Sequence, residues 1–342
     1  MTATLKDIAD NLKISVGTVS RALNGTGRIS GKTRQLVLKE AARVDYKPDD
    51  AARTLKKKSA NVIGVIVPDI SNNFFANVIK GVEDSAYSNK YSVLVCNSNS
   101  DPVKETEYVK LLLQKHVKGI VIASVGGGET SLLLRQQCTH SAATAVFIDN
   151  IPPDCDAFDV VTIDNVKAAY DITAVLIEHG YTKIAAITGP VSQSTAAERL
   201  EGFKKRAVDA GITVDSGFIA EGDFNIESGF SIMKGWLEAG ARPEALFAAN
   251  NFLAYGAVNA IFEQGLRIPE DIAVICFDAV DDTGLIRPKL TTVVQPAVGI
   301  GSVAADIVME NRTMRRESER GKRIVLTPEF IFGESVKYSR GD

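Results

Sequence analysis

Val62-Ile-Gly-Val-Ile-Val67 is six residues without one polar side chain. A strand with one wet face alternates apolar and polar residues, whereas a parallel strand covered on both faces does not. The run therefore reads as a buried parallel strand. Similar runs recur at Ser92–Cys96, Gly119–Ala123, Ala145–Ile148, Ile184–Ile187, Ala245–Ala248 and Ile272–Cys276, with amphipathic stretches between them. Repeated strand–helix units predict doubly wound α/β layers. The block that begins at Asn61 is too long for one comfortable sheet, so two α/β lobes are expected.

Upstream of this block the pattern is helical. Thr4 can cap a short helix with Asp7 three residues on, and Ile8, Ala9 and Leu12 give it an apolar face. Ser15 can cap a second helix with Val16, Val19, Ala22 and Leu23 on one side, ended by Asn24-Gly25. Ser30 can cap a third, with Leu36, Val37, Leu38, Ala41 and Ala42 expected to face inward. Two short helices joined by a tight turn and backed by a third have helix-turn-helix spacing. Pro48 and Lys56-Lys57-Lys58-Ser59 mark a linker between this head and the α/β block.

Charge separates the two parts. Residues 1–58 hold thirteen basic and six acidic residues, a surplus of seven positive charges, while the whole chain of 342 residues carries −3. A basic head on an acidic body implies that the head meets a polyanion. Hydrophobic residues are 45% and charged residues 24% of the chain, which excludes collagen-like, coiled-coil and wholly disordered chains. No apolar run reaches the roughly 18 residues of a spanning helix, and Met1–Leu12 shows no secretory signal. Cys96, Cys138, Cys155 and Cys276 form no C-x-x-C pair and read as reduced, mostly buried thiols of a cytoplasmic protein.

Catalytic and cofactor patterns are weak. Gly31-Lys32-Thr33 ends like a phosphate-binding loop, but position 26 is Thr26 and the segment follows a helix rather than a strand. Gly126-Gly127-Gly128 lacks the spacing of a dinucleotide loop and reads as a flexible connection. His116, His140 and His179 include no i, i+4 pair, and no G-x-S-x-G elbow occurs. No cofactor or metal is expected, and nothing argues for an enzyme.

Several stretches carry a family likeness. Thr4-Leu-Lys-Asp-Ile-Ala9, Ile14-Ser-Val-Gly-Thr-Val-Ser-Arg-Ala-Leu-Asn24, Arg43-Val-Asp-Tyr-Lys-Pro48 and Ala51-Ala-Arg-Thr-Leu-Lys56 strongly resemble the lactose/galactose repressor family. So do Gly64-Val-Ile-Val-Pro-Asp69, Thr195–Phe203 with Arg199, Pro269-Glu-Asp-Ile272 and Leu290-Thr-Thr-Val293. The resemblance spans essentially the whole chain. It implies a DNA-binding helix-turn-helix head, a hinge helix, and a two-lobed core like that of periplasmic sugar-binding proteins. The expected division is 1–47 for the head and 48–60 for the hinge. Residues 61–162 with 294–322 would form the first lobe, and 163–293 with 323–342 the second.

In a helix-turn-helix the start of the second helix enters the major groove. The resemblance places Val16, Gly17 and Arg21 at base-reading positions. Arg21 has donors suited to guanine and Val16 can touch a thymine methyl, with core packing and phosphate contact as the plainer alternatives. Thr4, Ser15, Thr18, Ser20 and Asn24 are short polar groups near helix ends, suited to phosphates or simply to capping. In the hinge, the resemblance implies that Leu55 wedges into the minor groove beside Lys56, with Arg53 on phosphates. Asp49-Asp50 follows Pro48 where the family usually has asparagine.

Ligands of two-lobed α/β proteins sit between the lobes, outside the carboxyl ends of strands. Residues just after the apolar runs are therefore candidates, Asp164 among them. By resemblance the ligand set is Phe74, Phe75, Asp149, Arg199, Phe224, Asn250, Asp278 and Gln295. Arg199 can grip a hydroxyl or a carboxylate, Asp278 can accept from hydroxyls, and Phe224 can stack on a sugar face or belong to the core. Asn73 and Asn251 stand where the family commonly has proline and aspartate. The expected protein is a homodimeric regulator of transcription, more a repressor than an activator. It would bind a pseudo-palindromic duplex operator and answer to a small molecule such as a sugar or sugar acid. A sugar-binding transport protein and an α/β sugar-processing enzyme are the rival readings.

Overall fold

A computed structural model describes residues 3–46, 61–126, 128–138, 144–153, 155–280, 287–310 and 320–337. The chain divides into two compact units, Met1–Lys58 and Ser59–Asp342. The first contains α1 (Leu5–Leu12), α2 (Val16–Asn24) and α3 (Gly31–Arg43). Their limits follow the capping chemistry. The Thr4 hydroxyl accepts from Asp7 N at 3.3 Å while Thr4 N donates to the Asp7 carboxylate at 2.8 Å, a reciprocal pair that closes the start of α1. Ser15 and Ser30 accept from Thr18 N and Thr33 N in the same way, and Gly25 ends α2 at φ +68°.

Ile8, Ala9, Val19, Ala22, Val37 and Ala41 form the buried core of this unit. The inward set expected for α3 is too broad. Leu36 and Leu38 are 52% and 48% exposed and Ala42 also faces solvent. Val37 and Ala41 lie four apart on one helix face, and positions on either side rotate away from it by about 100° each. Val16 is likewise exposed rather than packed.

The second unit holds two sheets. In the first lobe, β1 (Val62–Val67), β2 (Ser92–Asn97), β3 (Gly119–Ile122), β4 (Thr144–Ile148) and β5 (Asp159–Ile163) are joined by β11 (Arg323–Leu326), in the order β11-β5-β4-β3-β1-β2. All pairings are parallel, with Ile63 opposite Val93 on one side and Gly119 on the other. Helices α4 (Asn73–Ser88), α5 (Pro102–Gln114), α6 (Gly128–Cys138) and α11 (Ala297–Met309) accompany them.

The second lobe repeats this plan. Its strands β6 (Ile184–Thr188), β7 (Ile219–Glu221), β8 (Ala245–Ala248), β9 (Ala273–Phe277), β10 (Thr291–Val294) and β12 (Glu329–Ile331) run in the order β12-β10-β9-β8-β6-β7. Only β12 is antiparallel to its neighbour. Its helices are α7 (Asn165–Glu178), α8 (Ser194–Asp209), α9 (Ile226–Glu238) and α10 (Asn251–Glu263).

The chain passes between the lobes three times: from β5 into α7, from β10 into α11, and from β11 into β12. The expected third crossing at 322/323 is corrected by this topology. Arg323–Leu326 pairs in parallel with Val160–Ile163 and extends the first sheet, so only the residues from β12 onward return to the second. A strand rich in β-branched residues next to an open sheet edge completes that edge before the chain leaves it. Cys96 and Cys276 are buried free thiols, and Cys155 is partly buried. Among the described residues no helix is long and apolar enough to cross a membrane.

Candidate ligand cleft and nucleic-acid face

Both sheets carry the strand order 2-1-3-4-5 among their first five members, and such sheets offer a crevice at the carboxyl ends of their strands. Here the two crevices face one cavity of about 720 Å³, within the usual range for small-molecule sites. Its wall takes residues that follow β1, β4, β6, β8, β9 and β10. All eight residues of the expected ligand set, Phe74, Phe75, Asp149, Arg199, Phe224, Asn250, Asp278 and Gln295, line it. Asp164 does not; its carboxylate accepts from Lys167 N at 2.9 Å and caps α7.

Arg199 is the most constrained of them. It projects from α8, is 3% exposed, and lies over the Phe277 ring with its guanidinium carbon 4.2 Å from the centroid. Nε donates to Asn165 Oδ1 at 2.9 Å and Nη1 to the Ala249 carbonyl at 2.7 Å. Nη2 has no hydrogen-bond partner and stands 3.9 Å from Asp149 Oδ1. The two hydrogen-bonded nitrogens fix the guanidinium plane at the cleft wall, and the third stays buried.

Asp278 is held by Gln295, whose backbone N and side-chain Nε2 donate to its two oxygens at 3.0 and 2.8 Å. Gln295 Oε1 is buried without a partner. Burial pushes the Asp149 carboxyl up to about 6, against the pull of Arg199, and the nearby Asp278 carboxylate pushes it the same way. Burial also raises Asp278, with Arg199 opposing. A buried guanidinium between two such carboxyls is the kind of perturbed cluster found at functional sites.

Backbone strain marks the same places. Asp149, Phe224 and Asp278 have φ of 54°, 56° and 58°, a left-handed conformation uncommon for residues with a side chain. Phe224 presses its ring onto Gly189, where a Cβ would come within 2.2 Å of it, so the ring is fixed at the cleft wall. The core and cleft readings of Phe224 both hold: it packs partly buried against the second lobe's core and lines the cavity. Asn250 caps α10 through Leu253 N and donates to the Phe224 carbonyl at 3.1 Å. Phe74 and Phe75, edge to face at 5.0 Å, form the apolar wall on the first lobe.

Two polar bridges between the lobes lie outside the expected eight-residue ligand set, although Asn251 is flagged in the sequence. The side-chain amides of Asn72 and Asn251 pair reciprocally at 3.2 and 3.3 Å, both buried. Asn150 Oδ1 accepts from Ser194 N and Oγ at 2.7 and 3.0 Å, and Ile151 N donates to Ser194 Oγ at 2.9 Å. Asn73, the residue flagged in the sequence, is only the first residue of α4; its neighbour Asn72 is the one that caps the helix and reaches the second lobe.

On the head, Ser15, Val16, Gly17, Arg21, Asn24 and Thr4 are exposed, and Thr18 and Ser20 partly so. Val16 at 44% exposure packs no core, which leaves its methyls free at the start of α2. The capping alternative is realised in parallel: Thr4 and Ser15 hold helix starts, the Ser15 and Thr18 hydroxyls are 2.9 Å apart, and Asn24 Nδ2 donates to the Ser20 carbonyl at 2.8 Å. Arg53, Leu55 and Lys56 lie outside the described residues.

A helix-turn-helix unit joined in one chain to a two-lobed α/β unit with a polar cleft defines a ligand-binding DNA-binding protein. Residues 4–49 match the family described as bacterial regulatory proteins, lacI family, and residues 60–332 match periplasmic binding proteins and the sugar-binding domain of the LacI family. The chain belongs to the LacI family of transcriptional regulators, which are not enzymes. It is 34% identical over 336 residues to the HTH-type transcriptional repressor PurR of Haemophilus influenzae (strain PittEE), covering 98% of this chain and 99% of the relative. Its fold matches the Lac repressor dimer bound to operator and the anti-inducer ONPF with a TM-score of 0.83 at 26% identity, over 98% of this chain and 99% of that one. A transcriptional regulator CelR–cellobiose complex matches at TM-score 0.72 and 25% identity, over 97% and 99% of the two chains.

Proposed function

We propose that this protein is a dimeric repressor that acts in the cytoplasm on a pseudo-palindromic operator, and that a sugar or sugar derivative in the cleft changes its affinity for that operator. The observation that carries the reading is the cleft. Residues separated by more than two hundred positions meet around one cavity, with a guanidinium, carboxylates and side-chain amides beside aromatic walls. Polyols are held by such planar polar groups, with a ring face stacked on an aromatic side chain. The solved CelR relative is a complex with cellobiose, which supports a carbohydrate, whereas the PurR relatives leave the effector's class open.

The exposed start of α2 supports major-groove readout by Val16 and Arg21, with Gly17 allowing close approach and Thr4, Ser15, Thr18, Ser20 and Asn24 on phosphates. Segment 48–60 then acts as the hinge, Leu55 as its minor-groove wedge, and Lys56 and Arg53 as its backbone contacts. The test is a fluorescence-anisotropy titration of DNA from upstream of the protein's own gene, with and without a sugar panel. Operator-specific binding that one sugar alters severalfold is the expected result. Equal affinity for that DNA and random duplex at low salt would end the reading.

A further inference from the structure

The charge of the cleft narrows what it can hold. Four carboxylates line it, those of Asp69, Asp149, Asp223 and Asp278, and Arg199 is the one cation among the described lining residues. Arg199 is already committed: Asp149 lies 3.9 Å from its Nη2, and its field also reaches Asp278. A carboxylate or phosphate entering the cavity would find no unmatched positive side chain and would sit against several like charges in a poorly solvated space.

The helix starts that open into the cleft are partly occupied by the chain itself. The side chain of Asn72 accepts from Phe74 N in α4, that of Asn225 from Ser228 N in α9 and that of Asn250 from Leu253 N in α10. α8 has no side-chain cap, but the N–H of Ser194, its first residue, donates to Asn150. Two of the lining side chains each carry a buried atom without a partner: Arg199 Nη2 is a donor and Gln295 Oε1 an acceptor. A hydroxyl satisfies either one, since it both accepts and donates, whereas an anionic oxygen can satisfy only the donor.

From these observations we infer that the cleft takes an uncharged polyhydroxylated ligand and rejects the carboxylate- or phosphate-bearing form of the same molecule. This rests on the reading of the cleft as the effector site. Arg199 Nη2 donates to one ligand hydroxyl, and another donates to Gln295 Oε1. The carboxylates accept further hydroxyls, which is why the site can carry so many without binding an anion. Uncharged pyranoses and their oligomers belong to the favoured class. Aldonic acids, uronic acids and sugar phosphates belong to the rejected one.

The experiment is isothermal calorimetry on the full chain with matched pairs, each neutral sugar beside its aldonic acid, uronic acid and phosphate, at pH 7.5 and low salt, after a thermal-shift screen of the same panel and of purines. The expected result is binding by at least one neutral compound and at least tenfold weaker binding by each of its anionic partners. An anionic member that binds as tightly as its neutral parent, or tighter, overturns the inference and leaves the effector reading standing. A purine that binds while no sugar does overturns the inference and the carbohydrate assignment but not the regulator. A panel in which no compound binds overturns the cleft as effector site, and this inference with it.

Discussion

Asp149→Asn is the perturbation that tests the electrostatics of the cleft most directly. The carboxyl is placed at about 6 in the folded protein against 3.8 for an ordinary aspartate, with burial as the leading cause. Each unit of such a gap is worth about 1.4 kcal/mol, so the ionised carboxylate costs the ligand-free fold about 3 kcal/mol at pH 7.5. A carboxyl whose folded value is raised favours the fold fully below its unfolded value and loses that contribution as pH climbs through the folded one. Between 3.8 and 6 the folded chain holds a proton that the unfolded chain has released. The cost is therefore complete above about pH 7, halved near pH 5, and absent below the unfolded value.

An asparagine does not titrate, so the variant is free of this cost at every pH. The constant offset between the two proteins depends on how well the amide packs; the pH slope does not. Thermal unfolding of both ligand-free proteins, followed by circular dichroism from pH 7.5 to 4.5, reads it out. The stability difference in favour of Asp149→Asn should shrink by about 1.5 kcal/mol between pH 7.5 and 5, or about 3 °C in melting temperature for a domain of this size. The same variant should bind the effector more weakly, because it has lost a charged acceptor. A melting difference that is flat with pH would show that Asp149 is not held above its ordinary value, and the account of the cleft's charge would fail.

Four further outcomes are expected. Arg199→Ala should abolish the effect of the ligand on operator binding while leaving DNA binding by the ligand-free protein intact, measured by anisotropy with and without ligand. Arg21→Ala, at an exposed position on α2, should weaken specific operator binding by about 1–3 kcal/mol and relax preference at one base pair, with an unchanged melting temperature. Leu55→Ala should reduce specific operator affinity and leave calorimetric ligand affinity in the free protein unchanged. Gly301→Ala should destabilise the core by about 3 kcal/mol in urea unfolding, because its Cβ would lie 2.0 Å from the Val78 carbonyl where α11 crosses α4, and a backbone atom cannot rotate away.

The strands read most clearly in the sequence were those whose burial on both faces leaves nothing but apolar residues, such as β1, β3, β6 and β9. Asp159-Val-Val-Thr-Ile163 and Thr291-Thr-Val-Val294 are buried strands as well, but they carry an acid and hydroxyls. Those groups have partners in the fold: Asp159 accepts from Lys322 N at 2.7 Å and Thr291 Oγ1 from Gly333 N at 3.0 Å. Nothing local announces a partner more than forty residues away. β11, at a sheet edge, alternates and could be paired with either lobe on sequence grounds alone, which is where the expected boundary slipped.

The eight-residue ligand set came from the family resemblance, but part of the cleft lining was legible for a different reason. A strand that ends in a sheet's interior must deliver its next residue to the crevice, so a polar or aromatic residue after an apolar run is placed by topology. The left-handed backbone of Asp149, Phe224 and Asp278 has no such signature, since none of the three is glycine. The Asn150–Ser194 bridge was equally hidden. Each residue taken alone is an ordinary turn former or helix capper, and only the closed arrangement of the lobes brings them within reach.

That arrangement carries the argument from site to regulation. Asp149 belongs to the first lobe and Arg199 and Asp278 to the second, so a ligand that contacts all three binds the closed arrangement better than an open one. Only this difference in affinity, not the tightness of binding, can shift a population of conformers. The Asn72–Asn251 and Asn150–Ser194 bridges already hold the lobes together without ligand. Their hydrogen bonds are uncharged, whereas the Asp149–Arg199 contact, which also spans the lobes, depends on the protonation of Asp149. Breaking a bridge should change how often the cleft is closed, and changing Asp149 should change what the closed cleft accepts. Because coupling between two sites is reciprocal, whatever factor the ligand imposes on operator affinity must reappear as the factor that operator imposes on ligand affinity. A bridge variant such as Asn251→Ala should alter both by the same ratio.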